Sequence, residues 1–204
     1  MDRLVNGILH KMQTEKLVDE EDIEIYQFGI ECMLLKVVHI VSYLLIGICM
    51  GEALSLLVSG SILIPLRRKA GGYHAKTRMG CYIFSCGVVF VLCLTNKIVM
   101  APIVGMIGMV AADILIVLFA PVENENRVLE PDERILFRKQ ALGLLALVNM
   151  VILAILLIHK YLFVAYWLEK GVMFTGLLLG LGIKRQRVRC NLMQTLIIFN
   201  SKIK

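Results

Sequence analysis

The sequence predicts an all-α, polytopic membrane protein, and three observations carry that prediction. The chain is 58% hydrophobic with a mean hydropathy of +0.78 over 204 residues, whereas soluble domains are about 45–50% apolar. Charged residues make up 19% of the chain and cluster between long apolar runs. Lysine and arginine, finally, are distributed unequally between alternate connections. A globular core of this size could not absorb so much apolar surface behind a polar exterior, so the excess belongs in lipid.

Spanning takes about 20 apolar residues, and six segments come close: 32–50, 53–66, 81–95, 98–120, 141–158 and 161–183. The first tolerates Lys36 near its start and His39 inside. The second is short and ends at Pro65, ahead of Arg67, Arg68 and Lys69. Cys81 reads as the first residue of the third, and Asn96-Lys97 as a tight turn between third and fourth. Glu169-Lys170 interrupts the sixth, so a long fifth helix to Trp167 and a short sixth from Gly171 also fit. Both versions give about six transmembrane helices.

Before these, Leu4, Val5, Ile8, Leu9 and Met12 fall on one helical face, with Asp2 as an N-cap residue. Residues 1–30 therefore read as an interfacial segment with an amphipathic helix. Leu192, Met193, Leu196 and Ile197 repeat that pattern within the basic tail, 184–204. The acidic start (Asp2, Glu15, Asp19, Glu20, Glu21, Asp22, Glu24) is unlike a cleavable signal peptide. Targeting is expected through the first spanning helix. No repeat and no separate soluble domain is visible, and 1–204 reads as a single integral membrane domain.

Placing the N-terminus in the cytoplasm puts all 22 lysines and arginines there except Lys97, Lys160 and Lys170. Both termini and the loops 67–80 and 121–140 are accordingly expected to be cytoplasmic. The net charge of +6 needs no nucleic-acid partner to explain it, and no nucleic-acid motif accompanies it. The cysteines at 32, 49, 81, 86, 93 and 190 lack C-x-x-C or Cys/His metal spacing. Neither a disulfide framework, a metal nor a cofactor is expected.

One loop combines residues that carry chemistry. Residues 67–81 read RRKAGGYHAKTRMGC. Gly71-Gly72 permits positive φ, and Gly80 breaks the chain before Cys81. A helix N-terminus favours thiolate over thiol, and Arg67, Arg68, Lys69, Lys76 and Arg78 add to that field. A histidine reaching the sulfur would take the thiol proton and return it to a leaving amine. Along a straight helix, however, seven residues separate His74 from Cys81 by about 10.5 Å, far beyond a hydrogen bond. The pair can meet only if the chain between Gly72 and Gly80 folds back.

The string Arg67-Arg68-x-x-Gly71-Gly72-x-His74-x₆-Cys81, set after two spanning segments, resembles the accessory gene regulator protein B (AgrB) family of membrane endopeptidases. The resemblance covers most of the chain. It implies a cysteine endopeptidase that removes the C-terminal part of a short quorum-sensing propeptide (AgrD-like, amphipathic, with an acidic tail) on the cytoplasmic side. It also implies cyclisation of the acyl-enzyme to a thiolactone or lactone, with Cys81 as nucleophile and His74 as general base. Arg67, Arg68, Gly71 and Gly72 would serve substrate contact or loop shape, and the protein would be a homodimer.

Asp113 lies inside an apolar segment, where a carboxylate is by default functional. Orienting His74 is one reading, and a helix–helix hydrogen bond is the other. Asn149 and Ser42 suit interhelical hydrogen bonds, and His39 a packed intramembrane site. The rival class to an enzyme is a small-peptide exporter or channel lined by His39, Asp113 and Glu169. A third is a non-catalytic scaffold.

Overall fold

The computed structural model describes residues 2–15, 17–19, 22–75, 77–98, 101–123, 129–159 and 161–202, and of these the side chains of 2, 3, 102 and 189–202 lie outside the description. The regular elements of the described residues are all helices, joined by loops that hold an isolated bridge between Gly71 and Val122. Two units divide it, 1–46 and 47–204.

In the first unit, helix α1 (Asp2–Thr14) has Val5 and Leu9 buried while Leu4 and Ile8 stay exposed. The expected Asp2 cap falls on an undescribed side chain. Helix α2 (Ile23–Cys49) begins well before position 32, and His39 bonds the Leu35 carbonyl at 2.7 Å through Nδ1.

The second unit holds α3 (Ala53–Ala70), α4 (Arg78–Lys97), α5 (Pro102–Phe119), α6 (Pro131–Ile158) and α7 (Leu162–Lys202). Four helices, α2, α4, α6 and residues 162–188 of α7, are long and apolar enough to cross a membrane, and α5 is apolar but shorter. The remaining expected crossing, α3, does not reach that hydropathy. Its end explains why: Arg67, Arg68 and Lys69 fill its last turn. Ser55, Ser59 and Gly60 are buried along with Leu56, Leu63 and Leu66, while Leu54, Leu57 and Ile64 are exposed.

Helix α7 is the centre of the unit, packed on α3, α5, α6 and α4. Its Val172 and Leu179 join Leu66, Ile116, Leu145 and Ile152 in the core. Gly176 lets Ala112 of α5 approach without an intervening side chain, which is how membrane helices commonly associate. Large apolar residues such as Ile103, Leu147, Leu157 and Leu177 remain exposed, as lipid-facing positions should.

Several expected boundaries are corrected. Pro65 lies inside α3, which runs on to Ala70. Asn96 and Lys97 close α4 rather than forming a turn. The fifth segment's helix starts at Pro131, ten residues before its apolar stretch, with proline and Asp132-Glu133 in the first turn, both favourable there. It ends with His159 in a left-handed conformation, so no long helix reaches Trp167. Glu169 and Lys170 do not interrupt α7. Both are buried: the Glu169 carboxylate lies over Gly105, and Lys170 Nζ donates to the carbonyls of Thr95 and Ile98 at the end of α4. A cation there satisfies open carbonyls and suits the helix dipole.

The connections at one end of this bundle are tied together. Val122 N–H donates to Ala70 O at 2.9 Å. Arg138 reaches the α5 carbonyls of Ala120 and Val117 at 2.8 and 3.0 Å, and Gln186 Nε2 reaches Glu123 O at 2.6 Å. The loop carrying His74, the loop after α5 and the basic stretch of α7 thus share one end.

Candidate active site

The segment between α3 and α4 folds back, as the pairing of His74 with Cys81 requires. Gly71 (φ 76°) and Gly72 (φ 135°) turn the chain out of α3. Both conformations strain any residue with a Cβ. Space is also short: a Cβ at Gly71 would stand 2.0 Å from Val122 O, and one at Gly72 would stand 3.0 Å from Leu178 O. Helix α4 then begins at Arg78, with Thr77 as N-cap accepting from Gly80 N–H at 3.0 Å. Gly80 is therefore within the first turn rather than a break, and Cys81 is not the first helical residue. Its own N–H already bonds Thr77 O at 2.9 Å.

This geometry brings Cys81 Sγ to 4.0 Å from His74 Nδ1. That is the outer limit for a sulfur hydrogen bond, and such contacts are often long without substrate. Cys81 is half-buried, whereas His74 is exposed. Partial loss of water around the ring, and then the Arg67 guanidinium, hold the imidazole pKa below its ordinary value of 6.5. The ring is therefore neutral at neutral pH, the form that can accept a proton.

Three backbone contacts fix the loop. Tyr73 N–H donates to Leu178 O of α7 at 3.0 Å. Arg67 Nη2 donates to Tyr73 O at 2.6 Å, and Arg185 Nη1 donates to His74 O at 2.6 Å. Gly182 makes this seat possible, because a Cβ there would meet the Gly72 and Tyr73 backbone at 2.8–3.0 Å. The Tyr73 ring lies between the Arg185 guanidinium, 5.0 Å away, and the Phe84 ring, 4.7 Å away. Tyr73, Phe84, Leu181, Lys184, Arg185 and Val188 line an open groove of about 620 Å³ beside the pair.

Of the residues singled out from sequence, the structure brings together Arg67, Gly71, Gly72, His74 and Cys81. Arg68 is exposed on the last turn of α3. Asp113 lies elsewhere: its Oδ2 accepts from Asn149 Nδ2 at 2.8 Å, across α5 and α6. Sequence reasoning missed Tyr73, Phe84, Gly182 and Arg185. Arg185 sits in a run of cations that is fully explained as a topology signal, and nothing in the run distinguishes it. The second amphipathic pattern, at Leu192–Ile197, falls on undescribed side chains.

Membrane-length helices packed around a folded-back loop, with a thiol and an imidazole facing each other, define a polytopic membrane protein with a thiol site at one end. The family model for Accessory gene regulator B matches residues 5–183, and the chain belongs to that family. Accessory gene regulator quorum sensing is the setting of that family, whose members generally process peptides. The "Putative AgrB-like protein 2" of Clostridium perfringens (strain 13 / Type A) is 24% identical, over 62% of this chain and 63% of that protein. The "Putative AgrB-like protein" of Clostridium perfringens (strain SM101 / Type A) is 23% identical, over 87% of this chain and 86% of its own length. The chain thus spans just under two thirds of the first relative and most of the second. No solved structure matches.

Proposed function

We propose that the chain is a membrane cysteine endopeptidase that cleaves the C-terminal tail from a short autoinducer propeptide and promotes its cyclisation. The observation that carries this reading is the 4.0 Å approach of Cys81 Sγ to His74 Nδ1 in a loop turned back by Gly71 and Gly72. His74 takes the Cys81 thiol proton, and the thiolate attacks the scissile carbonyl. The C–N bond breaks, the imidazolium protonates the leaving amine, and a thioester remains. A Cys thiol or Ser hydroxyl inside the peptide then attacks that thioester. Its proton passes through His74 to the departing Cys81 sulfur, and the ring closes as a thiolactone or lactone. The chemistry uses no metal and no ATP.

The membrane arrangement belongs to the same proposal. Six helices, α2 to α7, cross the bilayer, α3 and α5 among them. Both termini and the site face the cytoplasm, and the protein works as a homodimer. Supporting this, the two basic loops and the basic stretch of α7 share one end, as the positive-inside rule requires. Anionic groups of the peptide tail would be held by the Lys184 and Arg185 side of the groove.

Cys81→Ala and His74→Ala are each expected to abolish cleavage of a co-expressed propeptide while membrane insertion is retained. Normal cleavage by either variant would sink the reading. Peptide export that survives Cys81→Ala, with no cleavage by purified protein, would favour an exporter instead.

A further inference from the structure

The contacts of one α7 side chain go beyond the cysteine and histidine themselves. Arg185 Nη1 holds the carbonyl of His74 at 2.6 Å. Its guanidinium also lies against the Tyr73 ring, which in turn packs on Phe84. Phe84 is three residues beyond Cys81, on the same side of α4 and one turn on. A single side chain therefore touches the residue bearing the imidazole and, through Tyr73, the helical turn bearing the thiol.

We propose that Arg185 is a positioning residue: from α7 it fixes the His74 loop against the first turns of α4, and so sets the distance between the imidazole and the Cys81 sulfur. The proposal rests on the peptidase reading above. An arginine suits the task because its planar, permanently charged fork can bond a carbonyl while its face stacks on an aromatic ring. A lysine can supply the charge but not the stack. The groups facing His74 are Arg67 from α3, Cys81 from α4, and Arg185 from α7, with Lys184 beside it on the groove. Arg67 and Arg185 hold adjacent carbonyls, Tyr73 and His74, so removing either frees the loop on one side.

The experiment follows Cys81 itself, in the full-length protein in detergent, by the rate at which iodoacetamide alkylates the Cys81 peptide. Mass spectrometry resolves that peptide from those of the other cysteines. Arg185→Ala is expected to slow alkylation at pH 7 about tenfold, and to lower kcat for propeptide cleavage by 10- to 100-fold with a smaller change in KM, the scale of a slightly misplaced group. Arg185→Lys should recover part of each loss. In a His74→Ala background, Arg185→Ala should add nothing, because it acts only through that imidazole. Arg187→Ala removes an exposed α7 cation that makes neither contact, and should leave alkylation unchanged.

Additive losses in the double variant would overturn the proposal, since they would mark a general structural role. Equal slowing by Arg187→Ala would assign the effect to field alone, and full recovery by lysine would do the same. If His74→Ala itself leaves both alkylation and cleavage intact, it is the peptidase reading that fails, and that outcome is separable from the behaviour of Arg185.

Discussion

His74 sits where two influences on an imidazole act in the same direction. Partial loss of water disfavours the charged ring, and the Arg67 guanidinium repels it. Because the pKa is lowered, the ring takes up its proton at a lower pH than an ordinary imidazole. The acid limb of kcat/KM for cleavage, which reports the free enzyme, is therefore expected below the ordinary imidazole value. Arg67→Ala should move it upward only in part, since burial is the larger cause. An inflection at or above 6.5 in the unaltered protein would contradict this. Spacing and glycines alone left the pairing of His74 with Cys81 open, and it was the resemblance of residues 67–81 to a family motif that singled the two out. The residues that seat them were not legible: a backbone carbonyl of α7 has no signature, and Arg185 resembles its neighbours.

At the scale of elements, the loop and α7 meet through Gly72 and Gly182 with no side chain between their backbones. A methyl group at Gly182 must displace the loop, and one at Gly72 must also accept a left-handed φ that costs about 1–2 kcal/mol. Gly72→Ala and Gly182→Ala should each reduce cleavage about 100-fold, as expected for displacement of a catalytic group by about an ångström, with normal recovery in the membrane fraction. Wild-type rates in Gly182→Ala would show that the contact does not position the loop. Helix ends were the least legible part of the fold, for a physical reason. Hydropathy measures how much chain sits in oil, whereas α6 starts on capping and charge at Pro131. Similarly, Glu169 and Lys170 look like an interruption until α4 and α5 are present to receive them. Pro65 misled in the same way, because bundles tolerate proline where neighbouring helices shelter the freed backbone groups.

At the scale of the whole molecule, the charge count and the packing of residues 47–204 agree on which connections lie together. Reporter fusions test the assignment of that end. Alkaline phosphatase, active only outside the cytoplasm, is expected to be active when joined after Lys97 and inactive when joined at 123–130 or at the C-terminus. The opposite pattern would place the site on the outer face. The clustering of Arg67, Arg138, Lys184 and Arg185 at one end has a further consequence, which concerns the solution rather than the fold. Fixed cations create a potential that mobile ions screen within about 8 Å at physiological ionic strength. Capture of an anionic peptide should therefore weaken with added salt: KM should rise several-fold from about 0.05 to 0.5 M sodium chloride while kcat holds, because the thiol and the imidazole act at contact distance.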